Sequence, residues 1–155
     1  MSDLETRPLT EDDAPDLSRL LTRDSADYQR YFEPFATDPS DMAAVLAAAD
    51  QDRFWGVFTD GELAALVMLR GLDAGHAAPA FGIYVAERRS RMGIASHALE
   101  FAESWCRAHD RHEIMLTVHP ENAIARGLYE RRGFAATGER SSLGHLIYRK
   151  RLEEL

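Results

Sequence analysis

Residues 81–107 change their hydrophobic period part-way along, and nothing else in the chain limits the fold as sharply. The run FGIYV is short, apolar and rich in β-branched and aromatic side chains, the composition of a buried strand. Beyond residue 93 the apolar positions fall at Ile94, Ala98, Ala102 and Trp105, with Ala95, Leu99 and Cys106 alongside, which is the spacing of a helix with one buried face. Strand and helix are joined by AERRSRMG, a loop with three arginines that ends in Gly93, and Ala95 stands in the first turn of the helix. The start of a helix exposes backbone N–H groups without intrahelical partners and the positive end of the macrodipole. Small residues there let an anion approach the main chain. The stretch reads as an anion cradle, although close packing of helix on strand uses the same small residues.

A second strand-to-helix passage follows at 114–134, IMLTVHPENAIARGLYERRGF. An apolar strand runs to Val118, a helix begins at Asn122 and carries Leu128 and Tyr129 near its end, and Gly133 stops it. With both passages in view the chain resembles the GCN5-related N-acetyltransferases, which move an acyl group from acetyl-CoA to an amine. The family's acetyl-CoA motif, R/Q-x-x-G-x-G/A, lines up with Ser90-Arg91-Met92-Gly93-Ile94-Ala95. Its second motif, an asparagine followed seven residues on by a tyrosine and then by Gly-Phe, is met by Asn122, Tyr129, Gly133 and Phe134. The resemblance spans nearly the whole chain and departs from the family at Ser90, where a long side chain helps to hold the pyrophosphate. It then implies that Arg88, Arg89 or Arg91 makes up the loss.

The resemblance also implies a set of roles. Acetyl-CoA is the acyl-donor cosubstrate, its pantetheine arm paired with the backbone of Ile83, Tyr84 and Val85 and its phosphates over Ser90, Arg91, Met92, Gly93, Ile94, Ala95 and Ser96. Asn122 bonds the pantetheine arm and Tyr129 lies near the sulfur, as the acid for the departing thiolate. An amine attacks the thioester directly, so no enzyme nucleophile is needed, and no serine, cysteine or histidine triad signature is present. Many relatives carry a glutamate base in the central strand, whereas residues 81–85 hold none. His119 is the candidate base, histidine being the side-chain type most used to take up protons in catalysis, with Glu33 and a water chain as alternatives. The segment after the first helix borders the acceptor pocket, which makes Tyr28, Tyr31 and Phe32 candidates for its wall; a core stripe would show the same spacing. A non-catalytic acyl-CoA-binding sensor is the competing function.

The rest of the chain fits an α/β fold. A short edge strand at 4–9 leads to Thr10, a helix cap with Asp13 three residues on, and to apolar positions Ala14, Leu17, Leu20 and Leu21. The helical spacing resumes at Tyr28, Tyr31, Phe32 and Phe35, which predicts a second helical piece after a bend at 22–25. Ser40 or Asp41 caps another helix through Met42, Val45, Leu46 and Ala49. Strands at 53–59 and 62–70 are joined by Asp60-Gly61, a strong hairpin signal. Two last strands lie at 135–139 and 145–152. The order predicts a single domain over 1–155, a three-layer fold with a mixed, mostly antiparallel sheet flanked by helices.

Charge and composition exclude several classes. The net charge of −8 argues against nucleic acid as a partner. It is divided unevenly: residues 1–80 hold 16 acids against 6 arginines, and residues 81–155 hold 10 acids against 12 bases. The carboxyl half suits an anionic donor, and the amino half a cationic amine from a small molecule or a peptide amino group. A single cysteine, Cys106, rules out an internal disulfide, and its place in the helical pattern predicts a buried thiol. The six histidines lack metal-ligand spacing, so no metal is expected. No apolar run has signal-peptide or membrane-span length, which points to a cytoplasmic protein without a membrane partner; a homodimer is left open.

Overall fold

In the computed structural model, which describes residues 4–32 and 38–153, the Asp60-Gly61 pair makes the turn that its sequence predicts. Asp60 has φ 54° and Gly61 φ 76°, both left-handed, as a two-residue hairpin twisted with its strands requires. It joins β2 (Arg53–Thr59) to β3 (Glu62–Arg70). Before them come β1 (Leu4–Pro8), α1 (Ala14–Arg23) and α2 (Pro39–Ala48). After them come β4 (Ala80–Val85), α3 (Ile94–Ala108), β5 (Glu113–Val118), α4 (Ala123–Arg131), β6 (Ala135–Arg140) and β7 (Leu146–Arg151). The strands form one sheet in the order β1-β2-β3-β4-β5-β7-β6, antiparallel except between β4 and β5. This is the mixed, mostly antiparallel sheet that the sequence predicts, with β1 at an edge.

Alternation along the strands divides the apolar side chains between two cores. Ala65, Val67 and Leu69 of β3, with Phe81 of β4 and Ile114, Leu116 and Val118 of β5, pack against Ile94, Ala98, Leu99 and Ala102 of α3 and Tyr129 of α4. Leu66 and Met68 of β3, with Tyr84 of β4, pack against Leu17, Leu20 and Leu21 of α1 and Met42 of α2. Burying each large side chain contributes about 1.5–3 kcal/mol. Glu103 is buried on α3, where its carboxylate meets Lys150 Nζ on β7 at 2.6 Å.

Two local expectations are corrected. Residues 26–31 form consecutive turns rather than a second helical piece. Gln29 N–H reaches Ser25 O (3.1 Å), but Phe32 N–H turns to Gln29 O (2.9 Å), and the three- and four-residue spacing brings Tyr28 and Phe32 onto Tyr84. Phe35, the last residue of that pattern, and Glu33 lie outside the described residues. The cap of α2 is Asp38, not Ser40 or Asp41: its carboxylate accepts the Ser40 N–H at 2.8 Å, and Pro39 takes the first helical position, where no N–H is missed. At the start of α1, Asp13 accepts the Thr10 N–H (2.8 Å) and a two-pronged bond from Arg7 (2.9 and 3.0 Å), preceded by a short 3-10 turn.

The feature that positions the site is the brevity of the β4–β5 pairing. Its register holds one pair, Ala80 with Met115, and beyond it the strands part.

Candidate active site

Which groups the parting leaves free follows from the hydrogen bonds at its two ends. Ala86 N–H points to Ala64 O on β3 (2.8 Å), and Met115 N–H reaches Pro79 O from the β5 side (3.0 Å). Because successive residues of a strand direct their polar groups to opposite sides, those of Ile83 and Val85 face the gap, while those of Tyr84 face β3. Of the three residues expected to pair with an extended ligand, two thus present backbone to it and the third does not. The Val85 carbonyl is already taken: it accepts the Tyr28 hydroxyl at 2.7 Å.

At the open end of the gap lies the start of α3. Gly93 is its N-cap with φ 74°, a conformation that suits glycine, and a Cβ built there would meet nothing within 4 Å. The space above it is open to a ligand, and the first amides of the helix, at Ile94, Ala95 and Ser96, have no intrahelical acceptor. The loop arginines are not equivalent. Arg88 pairs with Glu62, and Arg89 lies 3.6 Å from Glu62 and 4.0 Å from Asp60, so the hairpin tip holds both. Arg91 has no ion-pair partner among the described residues, is exposed, and is the arginine open to a phosphate. Met92 beside it is 41% exposed.

At the closed end stands Tyr129. Its ring meets Phe81, next to the last β4–β5 pair, edge-on at 6.4 Å, and Phe134 at 5.9 Å. The hydroxyl has no hydrogen-bond partner among the described residues, and burial pushes its pKa up to about 12. Asn122 caps α4 through its side-chain oxygen, which accepts the Ala125 N–H at 3.3 Å, leaving its amide nitrogen available.

The aromatic turns straddle the mouth. Tyr28 reaches β4, while Tyr31 packs on His119 (ring centroids 4.7 Å) and donates to Glu121 O at 3.4 Å. His119 also lies 5.4 Å from the His145 ring, and its Nδ1 accepts the Glu121 N–H at 3.1 Å. That bond assigns the proton of the neutral ring to Nε2, so the lone pair a base would use is already engaged. Phe32 faces inward onto Tyr84 at 4.7 Å. Cys106 is buried, with a thiol pushed up to about 12 by that burial, and is chemically inert.

Sequence reasoning missed a set of polar residues that fasten the turns to β4. Asp24 accepts the Tyr84 hydroxyl at 2.5 Å and the Glu87 N–H at 3.0 Å; Glu87 in return accepts from the Ser25 N–H and hydroxyl at 3.3 and 3.1 Å. Gln29 bridges Tyr84 Oη (3.1 Å) and Leu21 O (2.7 Å). Neither Asp24 nor Glu87 has a cationic partner among the described residues. No local signal marks them, since the contacts close over some sixty positions of chain.

Comparison with known proteins agrees with this arrangement. Residues 17–134 match the family described as acetyltransferase (GNAT) family. No protein of curated function matches by sequence. Among solved structures, the PaiA N-acetyltransferase of Thermoplasma acidophilum in complex with coenzyme A superposes with a TM-score of 0.80 at 17% identity, covering 96% of this chain and 99% of that one. The spermidine N-acetyltransferase of Vibrio cholerae, in complex with CoA and spermine, gives 0.78 at 21% identity over 96% and 95%. The ribosomal-protein-S5-alanine acetyltransferase of Vibrio fischeri gives 0.80 at 16% over 99% and 97%.

Proposed function

The chain belongs to the acetyltransferase (GNAT) family and is an acetyl-CoA-dependent N-acetyltransferase, and on that premise we propose that a primary amine, held at the mouth between the aromatic turns and β4, takes the acetyl group by direct attack. The observation that carries this is the single β4–β5 pair, which leaves strand edge and helix start exposed on one gap. Acetyl-CoA, when bound, supplies an activated acyl group and a thiolate leaving group.

The Ile83 N–H and C=O and the Val85 N–H hold the amide-bearing arm as a missing strand would. The amides of Ile94, Ala95 and Ser96, with Ser90, Met92 and Gly93 shaping the loop and Arg91 adding charge, hold the phosphates. The Asn122 amide nitrogen is a donor to the same arm. Tyr129 keeps its proton throughout the neutral range and directs it at the sulfur. His119, with Nδ1 engaged, orients Tyr31 and offers Nε2–H to the acceptor side. Removal of the ammonium proton is left to the other two candidates, Glu33 and a water chain. Tyr31 and Phe32 form the acceptor wall, and the acceptor is a small-molecule amine or a peptide amino group.

Thiol release from acetyl-CoA across a panel of primary amines, with mass spectrometry of the enzyme, tests the mechanism. Release that depends on the amine, without an acetylated enzyme species, is expected. A protein that acquires an acetyl group before amine is added overturns direct attack.

A further inference from the structure

The donor must touch two features at once, the free edge of β4 and the first amides of α3, and the residue at the junction between them comes from neither. The Tyr28 hydroxyl donates to Val85 O at 2.7 Å, at the end of the free edge. Asp24 and Ser25 of the same turn hold Glu87 just beyond that edge: Asp24 accepts the Glu87 N–H at 3.0 Å, and the Ser25 hydroxyl donates to Glu87 Oε1 at 3.1 Å. Glu87 O in turn accepts the Ser90 N–H at 3.2 Å, in the turn leading into α3. Tyr28 is held in place edge-on to Tyr84 at 6.0 Å, by its own N–H to Ser25 Oγ at 3.2 Å, and by the bonds of Asp24 and Glu87 around it.

We propose that Tyr28 is a positioning residue of the acetyl-CoA site rather than part of the acceptor wall. Its hydroxyl fastens the end of β4 to the turn that also holds Glu87, the residue that opens the phosphate loop. Val85 O is satisfied by the protein itself, which leaves the donor with the Ile83 groups and the Val85 N–H. The strand edge and the helix start are thereby held in fixed relation before the donor arrives, and the binding cost of ordering them is removed. This rests on the donor site assigned above.

The test is a double-mutant cycle of Tyr28→Phe and Ser25→Ala, read by calorimetric titration of CoA and by separate Michaelis constants for acetyl-CoA and the amine. Phe keeps the ring against Tyr84, and Ser25 is exposed, so melting temperatures should stay within a few degrees of wild type. Tyr28→Phe is expected to weaken CoA about tenfold, the range of one hydrogen bond, and to raise the acetyl-CoA constant alike, with the amine constant and saturated turnover within about twofold. Ser25→Ala, which cuts the bond to Glu87, should weaken CoA about threefold alone and add nothing in the Tyr28→Phe background. Unchanged CoA affinity in Tyr28→Phe, an effect confined to the amine constant, or strictly additive losses each overturn the assignment of Tyr28. Failure of the wild-type protein to bind CoA overturns the donor site itself, and this role with it.

Discussion

At Tyr129 the physical chemistry narrows the role that spacing alone suggests. Burial pushes the phenol up to about 12 and would raise a thiolate beside it as well, so the hydroxyl meets the sulfur as a neutral donor. In the proposed mechanism the hydroxyl therefore acts on the departing sulfur by a hydrogen bond to charge, typically worth about 1.5–3 kcal/mol. Tyr129→Phe is expected to lower turnover about 10- to 100-fold with CoA affinity and melting temperature nearly unchanged, measured where chemistry limits the rate. A loss beyond about 10⁴-fold would mean that the proton itself is transferred. Tyr129 was legible because the interval from Asn122 and the following Gly133-Phe134 are local signals. Asp24 and Tyr84 were not: their bond joins residues sixty positions apart, and an aspartate after a helix looks like any solvated turn residue.

The elements were legible wherever turn chemistry or period was explicit. Asp60-Gly61 fixed one hairpin, and the switch from strand to helical period fixed β4 and α3. The turns at 26–31 escaped because a spacing of three and four residues does not distinguish a helix from turns whose rings are drawn onto Tyr84. The parting of β4 and β5 has no local signal, since AFGIYV and EIMLTV both read as ordinary paired strands. At the start of α3, Gly93→Val should abolish CoA binding, because a β-branched residue is strained at φ 74° and its side chain fills the open space above the amides, whereas Arg91→Ala should weaken it only a few-fold. Titration calorimetry giving the reverse ranking would defeat the backbone cradle. At the start of α1, the Arg7 hydrogen bonds hold the Asp13 carboxyl below its usual range. A depressed folded pKa gives stability that is present above the unfolded value, about 3.9, and is lost as pH falls through the folded one. Asp13→Asn should cost about 1–2 kcal/mol near neutral pH, and the gap to wild type in chemical denaturation should close in strong acid.

For the molecule as a whole, the uneven charge is the ground for an expected acceptor class. The acidic half contributes the turns at the mouth, where Asp24, like Glu87 of the loop after β4, lacks a cationic partner among the described residues, and on the proposed reading a cationic amine would be drawn in and an anionic one repelled. Lowering salt should lower the Michaelis constant of the acceptor, because exposed charges are screened over about 10 Å at 0.1 M. An acceptor set limited to neutral or anionic amines would contradict this. Fold class and donor chemistry were open to sequence reasoning because periodicity and motif are properties of short segments. Acceptor identity is shaped by residues that only the closed sheet brings together.

The pair between Lys150 and Glu103 has a bearing on the enzyme's own survival beside its reagent. Lys150 is the only lysine in the sequence, and its amine is held at 2.6 Å by a buried carboxylate, with 22% of the side chain exposed. Every other basic side chain in the chain is an arginine or histidine, so the one lysine that a stock of activated acetyl groups could meet has its amine tied up in an ion pair. Prolonged incubation with acetyl-CoA should leave Lys150 unmodified in a peptide map, and Glu103→Gln should make it the first side chain to be acetylated.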